Sequence, residues 1–85
     1  MVIRGEVQGV GFRWFLAGSA RPMGLDGWVR NRADGSVELT AEGEHEALEK
    51  LLEAARQGPP GAQVNDVEVD WEGAAGGLEP FGLIY

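Results

Sequence analysis

Hydrophobic and polar positions follow one another along this chain in blocks of two different periods. Ile3, Gly5 and Val7 alternate with Arg4 and Glu6, the two-residue period of a half-buried strand. From Phe12 the period lengthens. Phe12, Phe15, Leu16, Ser19, Ala20 and Met23 fall on one face of a helix, which Pro22 and Gly24 stop. Trp14 lies off that face. A second strand is expected over Leu25–Arg32, with Leu25, Gly27, Val29 and Asn31 on one side. Arg32-Ala33-Asp34-Gly35 carries the Asp-Gly hairpin signal. In the third strand Val37, Leu39 and Ala41 face inward, while Ser36, Glu38, Thr40 and Glu42 face out. Glu44–Arg56 reads as a second helix, with Ala47, Leu48, Leu51, Leu52 and Ala55 on its apolar side. Glu44 and Glu46 fall in its first turn, where the dipole favours acids. Gly58-Pro59-Pro60-Gly61 closes it. Val67, Val69 and Trp71 alternate with Glu68, Asp70 and Glu72 as a fourth strand. Val64 is out of phase, so the strand begins with a bulge or starts later. Glu72–Gly77 reads as a loop, and Phe81–Tyr85 as a short fifth strand at an edge.

The order β-α-β-β-α-β predicts an α+β, ferredoxin-like split βαβ sandwich, an antiparallel sheet with two helices on one face. Residues 1–85 are expected to form a single domain. Strands 1 and 2 are joined through a helix, so they run parallel with the third strand between them. Their carboxyl ends then lie at one edge of the sheet. The loop Gln8–Phe12 and Asn31 meet there, beside the start of the first helix, where sheets with such crossovers tend to form binding crevices.

Charge sharpens that picture. The net charge of -7 argues against a nucleic-acid partner, since phosphate backbones select basic surfaces. Residues 1–32 hold five arginines (Arg4, Arg13, Arg21, Arg30, Arg32) against Glu6 and Asp26, a balance of +3. Residues 33–85 hold Lys50 and Arg56 against twelve acids, a balance of -10. The basic part coincides with the glycine stretch. There is no cysteine, which excludes disulfides, thiolate metal sites and cysteine nucleophiles. No apolar run approaches the ~20 residues of a membrane span, and MVIRGEV is no signal peptide. A cytoplasmic monomer without a membrane partner is expected.

The chemistry concentrates in Val7-Gln8-Gly9-Val10-Gly11-Phe12-Arg13. Glycine accepts positive φ at little cost. Glycines flanking Val10 let successive backbone N–H groups turn toward one point, a nest that suits an anion. The helix N-terminus adds unsatisfied donors and about half a positive charge. Arg13, in the first turn, brings a planar fork that matches two phosphate oxygens. Alone, G-V-G also fits a plain strand-to-helix turn, because it lacks the third glycine of a dinucleotide fingerprint and the Gly-Lys-Ser/Thr of a Walker loop.

VQGVGFRWF (Val7–Phe15) with Ala20, followed by GLDGWVRNRADGSVE (Gly24–Glu38), resembles the acylphosphatase family. Gly58-Pro59 and Val67-Glu68-Val69 fit it as well, so the resemblance covers essentially the whole chain. It implies that the backbone of Gln8, Gly9, Val10, Gly11, Phe12 and Arg13 binds the phosphate together with the Arg13 side chain. It also implies that Asn31 positions water. Pro22-Met23 departs from the family's preference for better helix formers, away from the proposed site.

Other residues add little chemistry. His45, the only histidine, falls in the second helix away from the glycine loop. Asp34 is explained by its turn. No carboxylate cluster suggests a metal, and no cofactor is expected. An arginine, an asparagine and backbone amides bind and orient but shuttle protons poorly. An alkyl phosphate ester needs an acid for its alkoxide. An acyl phosphate expels a carboxylate whose conjugate acid has a pKa of about 4. The expected activity is therefore metal-independent hydrolysis of small acyl phosphates to carboxylate, or carbamate, and inorganic phosphate. The alternatives are a non-catalytic module for an anion or carbamoyl phosphate, and an RNA-binding sheet face carrying Trp28 and Trp71. Glu38, Glu68 and Asp70 argue against the RNA reading.

Overall fold

The computed structural model describes residues 1–73 and 76–84. The elements are β1 (Val2–Glu6), α1 (Phe12–Ala20), a 3-10 turn (Arg21–Met23), β2 (Asp26–Asn31), β3 (Val37–Glu42), α2 (His45–Gln57), β4 (Gln63–Glu68) and β5 (Gly82–Ile84). The strand order is β4-β1-β3-β2-β5. β3 pairs antiparallel with both β1 and β2, so β1 and β2 run the same way, as their helical crossover requires.

The alternation read from sequence becomes two faces. Ile3, Val29, Val37 and Leu39 point to one side, where they are buried with Phe12, Leu16, Ala17 and Ala20 of α1 and Leu51 and Ala55 of α2. Both helices cover that face. The other face is a charged ladder. Arg4 pairs with Glu68 at 3.1 Å and with Asp66 at 3.5 Å, and Arg30 pairs with Glu38 at 2.7 Å. The Arg30 guanidinium also lies 5.5 Å over the Trp28 ring. These exposed pairs add little stability each. They keep the open face polar and cover the aromatic ring.

Several expectations change. The sheet is mixed, because β5 pairs parallel with β2. β4 ends at one edge of the sheet and β5 joins the opposite edge, so this pair is formed by a long return and not by a hairpin. Ala74, Ala75 and Tyr85 lie outside the described residues, so the expected loop over Glu72–Gly77 and the strand over Phe81–Tyr85 are each described only in part. β4 occupies Gln63–Glu68, so of the two readings, a bulge or a later start, the bulge holds, and Val69 and Trp71 lie beyond the strand. Its register shifts between Arg4, opposite Asp66, and Gly5, opposite Val64. That bulge at Asn65 is the cause of the odd phase of Val64. The strand stops at Glu68 because that residue pairs with Val2, where β1 begins. Phe81 is a core residue, 2% exposed, immediately before the edge strand. Ala17 is also buried, beside the periodic face read for the first helix.

Candidate active site

β1 and β2 deliver their carboxyl ends to the same rim. Beyond β1, Gly9 and Gly11 adopt φ of 76° and 74°, the left-handed region that disfavours other residues. Gly11 is the N-cap of α1, and no side chain caps the helix. The first helical bond runs from the Phe15 N–H to the Gly11 carbonyl at 2.9 Å. The amides ahead of Phe15 therefore stand outside the helical ladder, at the positive end of the helix.

A hollow of about 240 Å³ opens at this rim, lined by Gly9, Gly11, Phe12, Arg13, Trp14 and Asn31. The structure thus brings Arg13 and Asn31 to one place with the glycine loop. Asn31 is the exposed last residue of β2. The Arg13 Nη1 donates to the Ile84 carbonyl at 3.3 Å, so the edge strand β5 steadies the guanidinium. Val10 is half-buried against the core and Phe12 is buried within it, so both side chains point to packing and only their main chain is available at the rim.

Gln8 has a role that its residue type did not signal. Its side-chain Nε2 donates to the Arg32 carbonyl at 2.7 Å and to the Ser36 carbonyl at 3.0 Å. This ties the glycine loop to the hairpin that follows Asn31. The hairpin closes on itself through the Arg32 N–H donating to the Ser36 carbonyl at 2.8 Å. Asp34 Oδ1 accepts from the Ser36 hydroxyl at 2.5 Å and from its backbone N–H at 2.9 Å. These bonds to the Ser36 hydroxyl and N–H hold the Asp34 carboxyl below its usual pKa.

The basic half of the chain is not a basic patch. Arg4 and Arg30 serve the open-face ladder, and Arg21 Nε donates to the Phe81 carbonyl at 2.9 Å. Of the five N-terminal arginines only Arg13 lines the hollow. A larger cleft of about 680 Å³ lies elsewhere, between the start of β1, β3, α2, residues 68–73, Gly76 and Leu78. Glu38, Glu42, Glu68, Asp70 and Glu72 line it, so it repels a phosphate, and the smaller rim hollow is the better anion site despite its size. His45 belongs to that acidic cleft, with its Nε2 2.8 Å from Glu49 and its ring 4.9 Å from that of Trp71. No described helix is long and apolar enough to cross a membrane.

Gly11 permits a direct check. Nothing lies within 4 Å of a Cβ built there, so only the positive φ resists substitution. Gly11→Val is expected to lose about 1–2 kcal/mol of stability, or roughly 4–16 °C of thermal midpoint. Its phosphate affinity should fall as the loop turns its amides away. Gly11→Asn, which tolerates this conformation, should recover most of the midpoint in the same melt.

Comparison with known proteins agrees with this geometry. The acylphosphatase family model matches residues 1–82. An acylphosphatase of Salinibacter ruber is 54% identical over 79 residues, 93% of this chain and 83% of that protein. The crystal structure of acylphosphatase from Bacillus subtilis superposes with a TM-score of 0.94 at 42% identity, covering 99% of this chain and 93% of that one. The structure of HypF from T. kodakarensis matches 98% of this chain with a TM-score of 0.80 at 30% identity, over 12% of its own length. With the same fold along nearly its whole length, this chain belongs to the acylphosphatase family.

Proposed function

We propose that this chain hydrolyses small acyl phosphates by direct attack of water on phosphorus. The observation that carries the reading is the convergence of Arg13, Asn31 and the two left-handed glycines on one hollow. Backbone N–H groups of the loop Gln8–Arg13 and the Arg13 guanidinium hold the phosphoryl oxygens. The Asn31 carboxamide accepts a hydrogen bond from a water and aims it in line with the scissile P–O bond. That bond breaks as the new P–O bond forms, its electrons leave with the carboxylate, and the proton of the water passes to a phosphoryl oxygen. Catalysis is then positioning and electrostatic stabilisation of the phosphoryl charge. Among the described residues no histidine or carboxylate lines the hollow, so they offer no proton donor for an alkoxide, and the carboxylate leaving group needs none.

Acetyl, benzoyl and carbamoyl phosphates all have the required leaving group. An RNA-binding role finds little support in a sheet face where Trp28 lies under Arg30 among paired acids. The reading is tested by hydrolysis of acetyl and benzoyl phosphate under excess chelator in ¹⁸O-water, beside an alkyl phosphate ester. Label in the phosphate and little turnover of the ester are expected. Label in the carboxylate, equal turnover of the ester, or loss of activity under chelator would contradict it.

A further inference from the structure

Among the residues lining the hollow, Trp14 has no place in the chemistry above. It stands off the core-facing side of α1 and is 61% exposed, although its neighbours Phe12 and Leu16 are buried. Burial therefore does not explain an indole at this position. The other lining groups offer little apolar surface. Gly9 and Gly11 contribute backbone, Arg13 and Asn31 are polar, and Phe12 is 2% exposed. Among the described residues that line the hollow, Trp14 alone presents an accessible aromatic face at its mouth.

We infer that Trp14 is a specificity-determining residue that receives the acyl group and favours acyl phosphates with flat, aromatic acyl groups over short aliphatic ones. The inference rests on the reading that the loop holds the phosphoryl group. With phosphorus fixed by the loop and Arg13, the acyl substituent points away from the loop toward the mouth of the hollow, which Trp14 lines. The indole, one residue beyond Arg13 in the first turn of α1, is the apolar surface at hand. An aromatic ring gains from stacking on it, beyond simple area burial. A methyl group gains little. The preference is set in binding, because the ring is remote from the bond that breaks, and so it reads out in KM.

The test compares benzoyl phosphate with acetyl phosphate for the wild type, Trp14→Ala and Trp14→Phe. The ratio of the two kcat/KM values is expected to fall about 3–10-fold in Trp14→Ala. The change should come through KM for benzoyl phosphate. Trp14→Phe should restore part of the ratio, which recovery of the fold alone would not do. An unchanged ratio, or equal loss on both substrates, would overturn the role of Trp14 and leave the hydrolase reading standing. Failure of the wild type to hydrolyse either substrate would overturn both.

Discussion

Arg13→Ala is expected to lower kcat/KM for acetyl phosphate by about 10²–10⁴-fold and to weaken inhibition by inorganic phosphate in parallel. The guanidinium offers two charge-assisted hydrogen bonds, each worth about 1.5–3 kcal/mol, and 1.36 kcal/mol is a factor of about ten. The phosphoryl group carries the charge in both substrate and product, so binding and turnover fall together. Arg13→Lys keeps the charge and loses the planar fork, and it should recover little. Because Arg13 also bonds the Ile84 carbonyl, the thermal midpoints of both variants need to be followed alongside the kinetics. Phosphate inhibition within about threefold of the wild type in the alanine variant would show that the guanidinium does not hold the anion.

Asn31→Ala should separate what Arg13→Ala joins. It removes a neutral group at the exposed end of β2, and the hydrogen bonds of the hairpin run through Gln8, Arg32, Asp34 and Ser36. The fold should therefore survive. If the carboxamide only aims water, kcat falls by on the order of 10²-fold, while the inhibition constant of phosphate hardly moves. An Asn31 variant that loses phosphate affinity as severely as the Arg13 variant would mean that both residues bind the anion and neither is reserved for the solvent molecule.

How much of this could be read from the chain depends on which atoms do the work. The glycines of the loop were legible because a left-handed backbone leaves its mark in residue type. That Asn31 and Arg13 meet was legible because topology places the ends of β1 and β2 at one rim, while their roles were legible only through the family resemblance. The supports of the site were not. Gln8 and Arg13 donate to carbonyls of Arg32, Ser36 and Ile84, and a carbonyl acceptor is the same in every residue. The parallel pairing of β5 follows from a long return across the sheet that no local pattern records. Charge misled in part. Counting arginines predicted a basic region, but most of them are held by acids of β3 and β4 or by a main-chain oxygen. The partners of Arg4 and Arg21 lie 60 or more residues away, and only Glu38, 8 residues from Arg30 across the hairpin, is near in sequence. The phase error at Val64, by contrast, was a faithful sign of the bulge opposite Gly5.

Titration of the ¹⁵N-labelled protein with inorganic phosphate, followed by ¹H–¹⁵N correlation spectra, reads the anion site residue by residue. Saturable shifts are expected at the amides of Gly9, Val10, Gly11, Phe12 and Arg13, at the Arg13 side-chain N–H, and more weakly at the Asn31 carboxamide. If those signals stay in place while phosphate inhibits the enzyme, or if the shifts gather elsewhere on the molecule, the anion is not held at this rim.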